Sequence, residues 1–442
     1  MNSRSARRGI VAGLAAATLA LSACGGGSTP TGSSSASGTE GSSSEKVTIE
    51  YLHRLPDGEG MTKVADIVAK WNKEHPNIQV KATKFDGKAP EMIKKLENDG
   101  KAGSERCLAQ AGYAEIPSLY TKGLLADVSA DADKYKGSFS DGSMRLMKVG
   151  EATVGLPQDS GPLVYFYNKA EFDKLGLKAP TTAAELSDVA KKAAAKGKYA
   201  LAFQPDEAQY GLAALAAAAG ANWYATEGDK WTVNVTSPET AKVADFWQQA
   251  IDGKATLVEN RWGDGFKKAL VDQKLIGTIG AAWEAPLLAG DMAGSKNVGQ
   301  WQVAQLPTFG EKQMTGPDGG SGVVVLKGCK NPSQAMEFNN WFNTQNADLA
   351  TQGLVVAANG DVSTPAEVKK FFGGQDVMNE LSKANQTLNP DFGYMPTWPA
   401  VADPMAKAAA AAGEGKGKVS AIFESAQKAS TQSLKDAGLP VA

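Results

Sequence analysis

The chain has 442 residues, 42% of them hydrophobic and 21% charged, a balance that suits a folded body large enough for two domains. Its formal net charge is −2, and setting aside three N-terminal arginines leaves about −5, which argues against a nucleic-acid partner, since that needs clustered basic surface. The two histidines, His53 and His75, stand at no ligand spacing to each other or to a cysteine, so neither a metal nor a cofactor is expected.

The first segment is a leader. Arg4, Arg7 and Arg8 precede an apolar run from Ile10 to Leu21, and Leu21-Ser-Ala-Cys24 closes it in the pattern of a bacterial lipoprotein signal. A membrane-spanning helix would need about 20 apolar residues, more than this run supplies. Residues 1–23 are therefore expected to be removed, and Cys24 to carry lipid on the outer face of the cytoplasmic membrane. The stretch 24–45, nearly all Gly, Ser and Thr, has the composition of a flexible leash. With Cys24 lipidated, Cys107 and Cys329 remain in an oxidising compartment where a bridge between them is the expectation. Two buried free thiols are the alternative, because sequence separation says nothing of the distance between them.

From residue 46 the chain alternates. Val47 to Leu52 reads as a strand, and Val64, Ile67, Val68 and Trp71 recur at helical spacing. Ile78 to Val80 begins a second strand, Met92 to Leu96 is helical, Cys107 to Ala111 is a short strand, and Ile116 to Tyr120 starts another helix. This rhythm predicts an α/β fold with parallel strands and crossover helices. At Ala152 to Tyr167 the rhythm breaks into two strands joined by a polar connector, Gln158 to Pro162, of the kind that passes between lobes. Alternation then resumes. Thr182 and Glu185 make a capping box for an Ala-rich helix, Leu201 to Phe203 is a strand, and Gly211 to Ala219 and Pro238 to Ile251 are helices. Ile276 to Gly280 and Val323 to Leu326 read as later strands, a helix follows Pro332, and the tail beyond Val419 is a closing helix. Ala406 to Lys418 is low-complexity and reads as a mobile link. No repeat of 20 to 50 residues is present.

Enzymatic signatures are missing. No serine sits in G-x-S-x-G, there is no H-E-x-x-H, and Gly417-Lys418 lacks the Ser or Thr of a phosphate-binding loop. Asp57, Asp159 and Glu284 could pair as glycosidase carboxylates, although 48 acidic residues make such pairs easy to imagine. Aromatic residues beside polar loops are more informative: Tyr113, Trp223-Tyr224, Trp262, Trp283-Glu284 and Tyr394 to Trp398. Loops after strand ends line the crevice of open α/β sheets, and a flat indole there suits the C–H face of a sugar ring. Trp71, Trp247 and Trp341 lie within helical patterns and are expected in the core.

Five segments carry a family resemblance: W-N-K-E-H-P-N-I-Q-V at Trp71 to Val80, A-G-Y-A-E-I-P-S-L-Y-T-K-G-L-L-A-D-V at Ala111 to Val128, G-L-P-Q-D-S-G-P-L-V-Y-F-Y-N-K at Gly155 to Lys169, G-A-A-W-E-A-P at Gly280 to Pro286, and K-N-P-S-Q-A-M-E-F at Lys330 to Phe338. In order and spacing the chain resembles a family 1 extracellular solute-binding protein, the lipid-anchored sugar receptor of an ABC importer.

The resemblance implies a two-lobed periplasmic-binding-protein fold of type II, maltose-binding-like, with a multi-crossing hinge; 46–158 and 307–358 would form lobe 1, 159–306 and 359–442 lobe 2. It implies a monomeric, non-enzymatic receptor that binds a di- or oligosaccharide between the lobes and hands it to membrane permease subunits. Carried over by position, Trp283 and Trp398 would be stacking platforms, Tyr113 a first-lobe wall, and Asp159 and Ser160 hinge-side contacts. His53, Arg54, Asp57, Gln204 and Asp206 would meet hydroxyls, and Glu284 and Tyr394 flank the platforms. Gln110 stands where many relatives present an acid or Trp. The alternatives are a same-fold receptor for a non-sugar solute and a lipid-anchored glycosidase.

Overall fold

The computed structural model describes residues 46–58, 61–87, 89–104 and 106–442. The expectations for residues 1–45, Cys24 among them, lie outside the described residues.

The body is organised on a sheet in which Val47–His53 lies between Ile78–Lys84 and Leu108–Gly112, parallel to both. Pro317–Val325 then runs antiparallel to Leu108–Gly112 on one side and to Gly155–Asn168 on the other. This is the strand, helix, strand rhythm predicted for the first lobe. Its helix Val64–Glu74 buries Val64, Ile67, Val68 and Trp71, the four residues at helical spacing. The segment after it acts as a staple between helix and strand. Trp71 stacks on His75 with ring centroids 3.4 Å apart and donates Nε1–H to the Ile78 carbonyl at 2.7 Å. Asn72 bonds both backbone groups of Val80, at 2.7 and 2.9 Å. Tyr51, Trp71, Phe338 and Phe342 are in the core of this lobe.

Gly155–Asn168 is one 14-residue strand, where two strands and a connector were expected. Alternation of side chains need not stop for the polar residues Gln158 to Ser160, because these are paired on both sides: with Pro317–Val325 and with the segment around Val356. Ser160 N donates to the Val355 carbonyl (2.9 Å) and Ala357 N to that of Gln158 (3.0 Å). The far half of the strand pairs antiparallel with Gly277–Ala281 and Trp301–Gln305. Val164, Phe166, Phe266, Trp301 and Phe372 are buried there together. Three stretches of chain thus run side by side between lobes, at Gln158 to Pro162, Pro317 to Ser321 and Val355 to Ala358.

Local signals place the second-lobe helices. Ser237 caps Pro238–Asp252 by accepting the Thr240 N–H at 3.3 Å, and Pro238 fills the first helical position. The predicted capping box is offset by one residue: Thr182 Oγ1 accepts from Glu185 N, but the Glu185 carboxylate takes up the N–H of Thr181 at 2.7 Å. Ala406 to Lys418 is corrected. Ala402–Gly413 is a helix that buries Met405, Ala409 and Ala412, since alanine is the strongest helix former and the small side chains pack closely. Ser420–Asp436 closes the chain as a helix.

Cys107 and Cys329 form a disulfide. It joins the start of Leu108–Gly112 to the turn after Pro317–Val325, two neighbouring strands whose pairing already brings Leu108 opposite Val325.

Candidate functional site

The crossing strand Pro317–Val325 carries a bulge: Pro317 pairs with Pro162 and Gly320 with Ser160, so Asp318 and Gly319 together stand against Gly161. Gly319 and Gly320 have φ of +80° and +91°, a conformation that favours glycine. A Cβ on Gly320 would come 2.8 Å from Tyr113, and one on Gly319 3.2 Å from Trp283 Nε1. The bulge therefore lets one aromatic residue from each lobe approach the hinge backbone.

On the first-lobe side, Tyr113 is buried and its hydroxyl donates to the Asp159 carbonyl at 2.9 Å. A chain of polar groups lies alongside. Arg54 N donates to Gln110 Oε1 (2.8 Å), Gln110 Nε2 to Ser321 Oγ (3.0 Å), and Ser321 Oγ to Asp159 Oδ1. Burial pushes the Asp159 carboxyl up to about 6, against the opposing pull of the Ser321 hydrogen bonds and of Arg54. Between the ordinary carboxylate value of 3.8 and about 6, the folded chain therefore holds a proton there that the unfolded chain has lost. The resulting stabilisation is present at acid pH and is lost as pH rises through about 6, so at neutral pH the ionised group is costly unless it gains a donor. Glu115 is likewise pushed up by burial while accepting the Gly112 N–H at 3.0 Å.

On the second-lobe side, Trp283 is partly exposed, and its Nε1–H is fixed to the Asp318 carbonyl at 2.8 Å. The guanidinium of Arg261 lies 4.8 Å from the Trp283 ring centroid, and Trp262 is tilted against the same indole at 6.4 Å. Arg261 is buried between Glu284 and Asp318, reaching the Asp318 carboxylate at 3.1 Å and bonding Glu284 Oε1. Glu284 also accepts the Ala281 N–H at 2.7 Å, which holds the first turn of Glu284–Asp291 beneath Trp283. Burial pushes Glu207 and Tyr210 up, and the negative charges of Glu115, Glu207 and Asp318 add to the rise at Tyr210. A small cavity of about 40 Å³ lined by Gln204, Glu207, Glu284 and Asp318 adjoins this cluster.

The sequence-derived candidates fall into two groups. Arg54, Tyr113, Asp159, Trp283 and Glu284 converge on the hinge bulge or on its direct neighbours. Gln204 and Asp206 sit at the entry to the helix Ala208–Ala218, and Asp206, exposed, accepts the Arg261 N–H at 2.9 Å. Ser160 is fully buried, with no partner for its hydroxyl among the described residues.

Others are placed for packing. Trp398 was expected as a second platform, but it is only 2% exposed, enclosed by Trp223, Tyr224 and Tyr394 at centroid distances of 6.3, 6.0 and 4.9 Å, and offers no open face. Tyr394 is buried against it and donates to the Pro317 carbonyl at 3.0 Å. His53 is buried, and burial lowers it to about 4. The Asp57 carboxylate is occupied by Val64 N (2.9 Å) and Gln352 Nε2 (2.8 Å), anchoring its loop to the helix Val64–Glu74.

Arg261, Asp318, Ser321, Glu207 and Tyr210 were not singled out from sequence. Arg261 adjoins Trp262 in a loop, the one signal available for it; Asp318 and Ser321 flank a Gly-Gly pair that marks a special backbone position. A larger polar groove of about 820 Å³ between residues 139–142, 311–314 and 386–391 shares none of these residues, and its one aromatic liner, Phe139, is buried.

Comparison with known proteins agrees with this architecture. The family profile described as bacterial extracellular solute-binding protein matches residues 66–372. The structure of the galacto-N-biose/lacto-N-biose I-binding protein of an ABC transporter from Bifidobacterium longum, in complex with lacto-N-biose, is 54% identical, with 90% of this chain and 99% of that chain covered and a TM-score of 0.79. An ABC transporter-associated binding protein from B. animalis subsp. lactis, in complex with β-1,6-galactobiose, is similar in fold at 22% identity, 90% and 100% coverage and a TM-score of 0.67. The galactooligosaccharide-binding protein of Bacillus subtilis is 24% identical over 346 residues, covering 78% of this chain and 75% of that protein. The chain belongs to the bacterial extracellular solute-binding proteins, and its fold is the two-lobed, maltose-binding-like one.

Proposed function

We propose that this protein is the carbohydrate receptor of an ABC importer and that its ligand is a disaccharide of the galacto-N-biose/lacto-N-biose kind, a galactose joined to an N-acetylhexosamine. The observation that carries this reading is the 54% identity, over 90% of the chain, to the receptor solved with lacto-N-biose. The site is consistent with it. Trp283 supplies one flat face for a sugar ring, and Arg54, Glu115, Asp159, Glu207 and Tyr210 supply donors and acceptors for hydroxyls from both walls. A hydroxyl donating to Asp159 would offset the cost of keeping that carboxylate ionised. Contacts to both walls favour the closed form, so binding and closure are linked. The receptor acts by capture and release to permease subunits, without turnover of the sugar, and as a monomer.

Isothermal titration calorimetry with lacto-N-biose, galacto-N-biose, lactose and maltose tests the ligand class. The two N-acetylated disaccharides should bind at least about tenfold more tightly than the others, which is about 1.4 kcal/mol of discrimination. Equal affinity for all four, or binding to maltose alone, would contradict the assignment.

The protein is held at the membrane by lipid on Cys24. Support comes from the leader, from the Gly/Ser stretch behind it and from the family's extracellular character. Cys24→Ala should move the protein from the membrane fraction to the soluble one without altering sugar affinity; retention of a correctly processed variant at the membrane would count against lipidation.

A further inference from the structure

Arg261 lies buried against the Trp283 ring. Its side chain is 2% exposed, and its two terminal nitrogens are taken by Asp318 and Glu284. It is therefore placed to organise its neighbours. Two hydrogen bonds and one ring contact close a triangle: the Asp318 carboxylate holds Arg261 at 3.1 Å, the Asp318 carbonyl holds Trp283 Nε1 at 2.8 Å, and the guanidinium lies 4.8 Å from the Trp283 ring centroid. Asp318 in turn belongs to the hinge bulge with Gly319 and Gly320.

We propose that Arg261 is a positioning residue for ligand binding: it lies against the Trp283 indole and ties the orientation of that ring to the crossing strand Pro317–Val325 through Asp318. This inference rests on the reading that Trp283 carries the sugar. The physical reason for arginine is its shape. A guanidinium is flat, lies against an aromatic ring, and forks to two carboxylates at once; an ammonium carries the same charge but neither the plane nor the fork. With both terminal nitrogens engaged by protein, Arg261 acts on the ligand through the ring it supports. Movement of the hinge strand would then be felt at the platform, because one residue, Asp318, holds both the cation and the indole.

A double-mutant cycle read by calorimetry with lacto-N-biose tests this. Arg261→Lys keeps the positive charge between the two carboxylates and should weaken binding about tenfold in the otherwise unchanged protein. In the Trp283→Ala background the same change should cost less than about twofold, since no ring remains to be positioned. Glu284→Gln, which leaves arginine in place but loosens one arm of its fork, provides a second cycle should Arg261→Lys fail to fold, and its effect should vanish in the same background. Equal losses in both backgrounds would overturn the proposal, because Arg261 would then act independently of Trp283. An unaltered affinity in Trp283→Ala alone would instead sink the stacking reading, an outcome read from a different arm of the experiment. A purely structural role would lower the melting temperature without this coupling.

Discussion

Replacing Trp283 with Ala should weaken disaccharide binding by about 1.5 to 3 kcal/mol, or roughly 10- to 150-fold in dissociation constant, with little loss of folding stability. The ring is partly exposed, so few core contacts go with it, while its loss removes the flat surface that a sugar's C–H groups would cover. The effect should change little between low and high salt, because dispersion and apolar burial are not screened. Trp283→Phe should cost less, retaining a ring but losing the hydrogen bond from Nε1 to Asp318. Trp398→Ala should behave in the opposite way. That residue is 2% exposed and packed against three aromatic neighbours, so its removal should cost about 3 to 5 kcal/mol of stability through the cavity left behind. Calorimetry and thermal melting of the two variants separate the roles: an affinity loss confined to Trp398→Ala would reverse them.

Breaking the Cys107–Cys329 bridge should have the other large effect. The bond closes a loop across a sequence separation of 222, which contains most of the second lobe's chain. In the chain-entropy model, opening so long a loop frees the unfolded ensemble by about 5 kcal/mol, less any native-state strain that breaking the bond releases. At about 2.1 cal/mol/K per residue over a body near 400 residues, the melting temperature of Cys107→Ser/Cys329→Ser should fall by about 6 °C. Sugar affinity should stay within about threefold, as the bonded strands remain paired and the bridge stands at the opposite end of Leu108–Gly112 from Tyr113. A melting temperature unchanged by reduction would show that the unfolded chain gains nothing from release.

The fold was legible because its periodicities are strong. Val64, Ile67, Val68 and Trp71 specify a helical face, and the strands on either side are short runs bounded by turns, so the first lobe follows from local pattern. The long strand Gly155–Asn168 was harder to read, since Gln158 to Ser160 look like a connector until their partners across the hinge are known. Ala406 to Lys418 misled for another reason: low complexity resembles disorder, yet alanines at helical spacing also make a packing face.

The proposed site was legible only in part. Trp283 and Tyr113 declared themselves as aromatics following strands, and Asp159 as an acid in the crossing segment. Trp398 also stands beside polar loop residues, though after a helix and not a strand, and only the surrounding Trp223, Tyr224 and Tyr394 show that its faces are covered. Arg261 could not be assigned from its neighbours in sequence. Its partners Glu284 and Asp318 lie 23 and 57 residues away, and their convergence depends on the hinge bulge.

The most direct measurement is a crystal structure of the protein with lacto-N-biose at saturating concentration. One disaccharide is expected between the lobes, with a sugar ring against the open face of Trp283, hydroxyls within hydrogen-bonding distance of groups on both walls, and the Arg261–Asp318–Trp283 triangle intact. A ligand seated in the polar groove lined by Asp141, Glu239 and Met314, or a cleft left empty with Trp283 exposed to solvent, would contradict it.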